Sequence, residues 1–313
     1  MRRLRATRTG VAAAIALATL ALLCGLAAGA GGGAADGVPA PQAATAAPAL
    51  GPNLSASRAA GAAQRQRARE RLAIAHTLAW TPFISRGGTR RREIALTFDD
   101  GPGPDTPRIM DVLRAAGAPA TFFFVGQQLD YFGSMLRTEA RRGFSIGDHT
   151  QNHAPLGLLR AEDQRRQLVT AARRAERYGV KDLRFFRPPY GSYNRHTLQV
   201  SRSLGMLMVL WTVDTGDFRR PGARAIVRAV LSRARPGAIV LMHDGGGPRG
   251  QTAQALPVII RRLRHRGYRL VTVPQLVAED PPPRHQAPPP GIGQPAAFRR
   301  SAAARRPPRA RHR

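Results

Sequence analysis

Between residues 93 and 277 the chain alternates seven short apolar runs with stretches whose apolar residues recur at helical spacing, a pattern that few architectures accept. The runs are 93–98, 120–125, 144–148, 184–187, 207–213, 238–243 and 268–273. Most are rich in Val, Ile, Leu or Phe without clean alternation, as strands buried on both faces of a parallel sheet are. Helices are expected between them. One opens at Thr106-Pro107, read as an N-cap followed by Pro, and ends at Gly117. Others cover 161–178, 195–204, 221–234 and 251–266, with Gly179, Gly205 and Gly267 as stops. The alternation predicts an α/β domain, either a barrel or an open doubly wound sheet.

The flanks have a different composition. Arg2, Arg3, Arg5 and Arg8 precede an uncharged Ala/Leu-rich run over 11–30 that ends in Ala28-Gly29-Ala30, a small-x-small cleavage candidate. Residues 1–30 therefore predict an export signal, or a membrane anchor if uncleaved, since ~20 apolar residues span a bilayer. The only cysteine is Cys24, and Leu22-Leu23 before it make a poor lipoprotein box. The mature chain would then lack disulfides and rely on its core. Residues 31–92 read as an Ala/Gly/Arg-rich linker, with helix possible over 61–75, and 278–313 as a Pro/Arg-rich disordered tail. Net charge is +30, and Lys181 is the only lysine. The flanks hold more than half of that excess, which suits solvated tails or attraction to an anionic cell-wall polymer. Nucleic acid, open by charge alone, does not fit a chain that carries an export signal.

Five polar motifs sit at or just after the C-terminal ends of expected strands. In a barrel those ends share one face, so residues distant in sequence converge there. Thr97-Phe98-Asp99-Asp100-Gly101 places two carboxylates where the chain can turn, so that one can bind a metal while the other takes a proton from water. His149-Thr150-Gln151-Asn152-His153 carries two imidazoles four apart, and Pro155 favours a turn over a helix. Arg187-Pro188-Pro189-Tyr190-Gly191 offers a guanidinium fork on a stiff exit. Asp214 and Asp217 flank the turn in Trp211–Phe218, and Leu241-Met242-His243-Asp244 ends in a candidate acid or base before three glycines. Those glycines lack the Lys and spacing of a phosphate loop. Singly, each motif is compatible with ordinary turn chemistry.

In this order the motifs resemble those of the NodB-type polysaccharide deacetylases, carbohydrate esterase family 4. The family's T-F-D-D-G, H-[ST]-x-x-H, R-x-P-Y, D-x-x-D-W and L-x-H appear here as 97–101, 149–153, 187–190, 214–218 and 241–243, with Phe218 in place of Trp. The resemblance covers 93–277 and implies a distorted, incomplete (β/α)7-type barrel. It implies that Asp100, His149 and His153 bind a divalent metal, zinc before cobalt or another ion. Asp99 would be the general base and Arg187 its orienting partner. The Tyr190 backbone N–H would hold an oxyanion, and Asp217 would tune His243, the general acid. The implied reaction is hydrolysis of N-acetyl groups on a polysaccharide such as peptidoglycan or a chitin-like glycan, outside the cell or at its wall. An O-acetyl esterase acting on a glycan such as xylan shares this machinery, and a non-catalytic wall-binding protein would use the basic flanks instead.

Overall fold

The computed structural model describes residues 52–288 and Ile292; the expected signal at 1–30 and most of the expected tail lie outside the described residues. In chain order the elements are α1 (Pro52–Trp80), β1 (Phe83–Ile84), β2 (Glu93–Asp99), α2 (Thr106–Ala115), β3 (Thr121–Phe124), α3 (Leu129–Arg141), β4 (Ser145–Asp148), α4 (Ala161–Glu176), β5 (Phe185–Phe186), α5 (Arg195–Ser203), β6 (Leu207–Val209), β7 (Val213–Asp214), α6 (Ala223–Arg233), β8 (Ala238–His243), α7 (Gly250–His265), β9 (Arg269–Val271) and α8 (Val273–Glu279). Every strand pairing is parallel. The order is β1-β6-β5-β4-β3-β2-β8-β7, with β9 also on β2. This is the expected incomplete barrel, and the open doubly wound sheet is set aside.

Strand β2 shows how the sequence divides the interior. All seven of its residues are buried. Side chains alternate across a strand. Ile94, Leu96 and Phe98 enter the strand–helix core with α2 and α7, while Ala95 joins Phe123, Ile239 and Val271 in the inner cluster. The next members of that inner row are Thr97 and Asp99. The barrel is thus apolar low down, where Val273, Leu276 and Val277 of α8 and Ile74 of α1 join it, and polar at its C-terminal mouth.

The structure moves several expected boundaries. Residues 31–92 are not simply a linker. Helix α1 runs far beyond 61–75, on a stretch rich in the strong helix formers Ala, Arg and Gln. Its Ile74 is buried against α8, and β1 extends the sheet beside β6. The tail does not begin at 278 either. Asp280 is buried and accepts from the Arg91 backbone N–H at 2.8 Å and Arg90 Nε at 3.1 Å. Gln286 Oε1 accepts from the backbone N–H of Ser85 at 2.9 Å and of Arg86 at 3.2 Å. Helix α3 was not expected, because Gly133 and two aromatics blur its pattern. Gly133 is there for close approach, since a Cβ would lie 2.0 Å from the Tyr178 ring. The N-cap of α2 is Asp105, not Thr106, whose hydroxyl instead bonds Asp244 at 2.5 Å.

The expected strand over 207–213 is broken into β6 and β7. Arg187 supplies the reason. Its Nε donates to the Val209 carbonyl at 3.1 Å and its Nη2 to the Leu210 carbonyl at 3.4 Å, so a guanidinium stands where ladder bonds would continue.

Candidate active site

Strand register brings the first pair of functional residues level. Asp99 at the end of β2 is the direct cross-strand partner of His243 at the end of β8. Adjacent strands run about 4.8 Å apart, so these side chains can face one substrate. After Asp99 the chain turns sharply: Asp100 has φ +73°, a left-handed conformation that redirects its carboxylate to the same mouth. The turn packs backbone to backbone against the glycine loop after β8, where a Cβ on Gly245 would lie 2.1 Å from the Asp100 carbonyl oxygen. The turn expected for the histidine motif is also present, with Thr150 at φ +71° and His153 at φ +59°. It brings the two imidazole centroids to 5.0 Å.

Asp100, His149 and His153 offer ligand atoms that all lie within 4.8 Å of one another. His149 Nε2 is 3.4 Å and His153 Nε2 3.0 Å from the same oxygen, Asp100 Oδ1. His149 Nδ1 lies 2.7 Å from the Arg187 carbonyl oxygen, which can only accept. Nδ1 therefore carries a hydrogen and Nε2 of the neutral ring presents a lone pair, the arrangement of a metal-ligating histidine. Asp100 Oδ1 is buried and takes no hydrogen bond. Two imidazole nitrogens around a buried, unbonded carboxylate oxygen fit a divalent cation. Burial would push the Asp100 carboxyl up, but the imidazoles of His149 and His153 beside it hold it well below the usual range.

Arg187 is fully buried. Its Nη1 donates to Asp99 Oδ1 at 2.7 Å and to Thr97 Oγ1 at 2.8 Å, with its guanidinium carbon 4.2 Å from the Phe123 ring centroid. Asp99 is thereby fixed through one oxygen. Its other oxygen, Oδ2, lies 3.7 Å from His149 Nε2, beside the triad.

On the opposite wall Asp217, also buried, meets His243 Nδ1 at 2.7 Å through Oδ1. Its Oδ2 accepts from the His243 backbone N–H at 2.9 Å and Thr252 Oγ1 at 2.7 Å. Burial alone would lower the His243 imidazole. The Asp217 carboxylate outweighs it and raises the pKa to about 9, so the ring holds its proton at neutral pH. Phe218 stands edge-on to His243 at 5.6 Å. Asp214 is not part of the pair; it is exposed and accepts from the Gly216 N–H. Tyr190 has φ +60°, in the turn that follows Pro188 and Pro189, and its hydroxyl lies 3.1 Å from His153 Nδ1.

All eight candidates, Asp99, Asp100, His149, His153, Arg187, Tyr190, Asp217 and His243, thus gather at one end of the barrel. Six of them line one cleft of about 900 Å³, while Arg187 and Asp217 stand behind it. Sequence reasoning missed Thr252, a lone threonine on α7 with no motif around it, and Arg249, which ties the carbonyls of Gly245 and Gly246 to the same loop. Thr97 stood inside a motif, but its place under Arg187 had no signal.

The chain's likenesses agree with this geometry. Residues 86–209 match the family model described as polysaccharide deacetylase. A chitooligosaccharide deacetylase of Sinorhizobium fredii is 38% identical over 205 residues, 61% of this chain and 95% of the relative. Among solved structures, the peptidoglycan N-acetylglucosamine deacetylase Bc1960 aligns with TM-score 0.61 and 31% identity, over 66% of this chain and 95% of that one. A family pseudoenzyme from Bacillus anthracis, BA3943, aligns with TM-score 0.58 and 29% identity, over 62% and 68%. That last likeness shows that the fold alone does not guarantee activity, which gives the side-chain geometry its weight. By motif order, fold and these relatives, the chain belongs to the NodB-type polysaccharide deacetylases, the hydrolases of carbohydrate esterase family 4.

Proposed function

We propose that this protein removes N-acetyl groups from N-acetylglucosamine residues of a polysaccharide, releasing acetate, with a divalent ion, zinc first, held by Asp100, His149 and His153. The observation that carries the reading is the placement of two finished ion pairs, Arg187–Asp99 and Asp217–His243, on either side of a triad whose ligand atoms converge within 4.8 Å. A bound divalent ion supplies Lewis acidity, which polarises the acetyl carbonyl and brings the pKa of water to about 7.

The chain's own residues do the rest. Arg187 holds Asp99 Oδ1, which leaves Oδ2 to accept a proton from the attacking water. The water oxygen bonds to the acetyl carbon, and the carbonyl oxygen takes the charge beside the Tyr190 N–H. His243 Nε2 then gives its proton to the amide nitrogen as the C–N bond breaks, so acetate and a free amine leave. Asp217 stabilises the imidazolium throughout. Asp99 then releases its proton and His243 takes one up from solvent, which restores both groups.

The sequence of residues 1–30 supports export and action at the cell wall, where basic flanks would favour an anionic matrix. The catalytic unit in this reading runs from α1 to Gln286. The test is acetate release by the full chain from an N-acetylglucosamine oligomer and from an O-acetylated xylan oligomer. Release from the first supports the reading. Release from the ester alone would replace it with an esterase of the same fold.

A further inference from the structure

The cleft wall beyond Phe218 is cationic, and among the described residues none of its arginines forms an ion pair. Arg219 and Arg233 both line the cleft. The Arg219 guanidinium lies over the Phe218 ring at 4.8 Å, and Phe218 stands against His243, so this charge sits on the general-acid side. Among the described residues, neither side chain makes an ion pair or hydrogen bond with the protein. Arg249 also lines the cleft, but its guanidinium is held by the carbonyls of Gly245, Gly246 and Phe218. The one acidic group on this wall, Asp214, accepts from Gly216 N–H. The cleft's other carboxylates, Asp99 and Asp100, are tied to Arg187 and to the two imidazoles.

The wall is the edge of a larger imbalance. From Phe218 to Ala278 the chain carries 12 arginines and a single acidic residue, Asp244, which is buried against Thr106. All of these arginines but Arg249 are exposed, and among the described residues only Arg269 forms ion pairs, with Glu93 and Glu279. Residues 93–217 are nearly balanced, with 16 basic and 14 acidic groups, and their arginines pair, as in Arg142–Asp111, Arg174–Asp130 and Arg184–Asp182. Like charges at such density repel one another. A neutral glycan would offer them hydroxyl acceptors but no charge, whereas the planar guanidinium fork matches a carboxylate in both charge and geometry.

Building on the deacetylase reading above, we infer that the cleft takes an anionic glycan, and that Arg219 and Arg233 hold carboxylates on sugars adjoining the one that loses its acetyl group. They are specificity-determining residues, separate from the groups that act on the amide.

The test compares kcat/KM of the full-length protein on two oligomers of equal length. One is an N-acetylglucosamine oligomer; the other is a peptide-free glycan strand whose alternate sugars carry a lactyl carboxylate. The charged-to-neutral ratio is expected to exceed one in dilute buffer and to fall with added salt, as the Debye length shrinks from about 10 Å at 0.1 M toward about 3 Å at 1 M. The double variant Arg219→Gln, Arg233→Gln is expected to lower that ratio about tenfold, and the corresponding Lys pair to lower it less. Arg262→Gln, on the exposed part of α7 outside the cleft, is expected to leave it in place. A ratio unmoved by the double Gln variant, or moved equally by Arg262→Gln, overturns the inference while the deacetylase reading stands. Turnover of neither sugar overturns that reading and the inference together.

Discussion

Two carboxylates on opposite sides of the cleft differ in how far the protein satisfies them. Asp217 is complete within the protein: His243 Nδ1, the His243 backbone N–H and Thr252 Oγ1 all donate to it. Asp100 is only partly buried, yet its Oδ1, itself buried, faces two imidazole nitrogens and takes no hydrogen bond. A buried acceptor without a donor costs about 1–3 kcal/mol, more when charged. The first carboxylate is part of a finished machine. The second belongs to a site whose remaining member the chain does not encode, and that difference points to a cation.

The largest expected effect sharpens the finished side. Asp99→Asn keeps the shape and the Arg187 contact but removes the proposed base, and kcat should drop by roughly 10²–10⁴ with metal content unchanged. Full activity in that variant would remove Asp99 from the chemistry. Arg187→Met tests how much of the fold hangs on the same pair. Leaving Asp99 buried without its partner should cost about 3–5 kcal/mol in a denaturant titration. On the open side, His153→Ala should lose bound metal and acetate release together, and undiminished metal content would exclude it as a ligand.

A smaller effect separates the two carboxylates by pH. If His243 is the proposed acid it can act only while protonated, so the rate should fall as pH rises through about 9. Asp217→Asn removes the charge that raises this pKa, so the alkaline limb should move down toward the ordinary imidazole value of about 6.5. A limb that stays in place would mean that another group sets it. The smallest effects concern the tail. Deleting 293–313 should leave thermal stability unchanged, whereas deleting 278–313 removes Asp280 and Gln286 and should lower it measurably.

The site was more legible than the frame around it. Asp99, His149, Arg187 and His243 sit at strand ends within short motifs, and parallel register alone brings Asp99 level with His243. What escaped the sequence depends on contacts without local pattern. The break between β6 and β7 is caused by Arg187, some 20 residues upstream, and no periodicity within 207–213 announces it. Helix α3 was hidden by a glycine whose role is to admit Tyr178. Helix α1 and the segment through Gln286 looked like low-complexity flanks because their composition is biased, yet Ile74 and Asp280 anchor them. The charge asymmetry was countable from the outset, but only the structure shows that Arg219 and Arg233 border the cleft.

The most direct test of the comparison between Asp217 and Asp100 is a metal titration of the full chain after chelation, with metal content and acetate release read in the same samples. The account expects stripped protein to be folded and inactive, and activity to rise in proportion to zinc until one ion is bound per chain, with His153→Ala showing neither. Undiminished acetate release from protein stripped of its metal would contradict it.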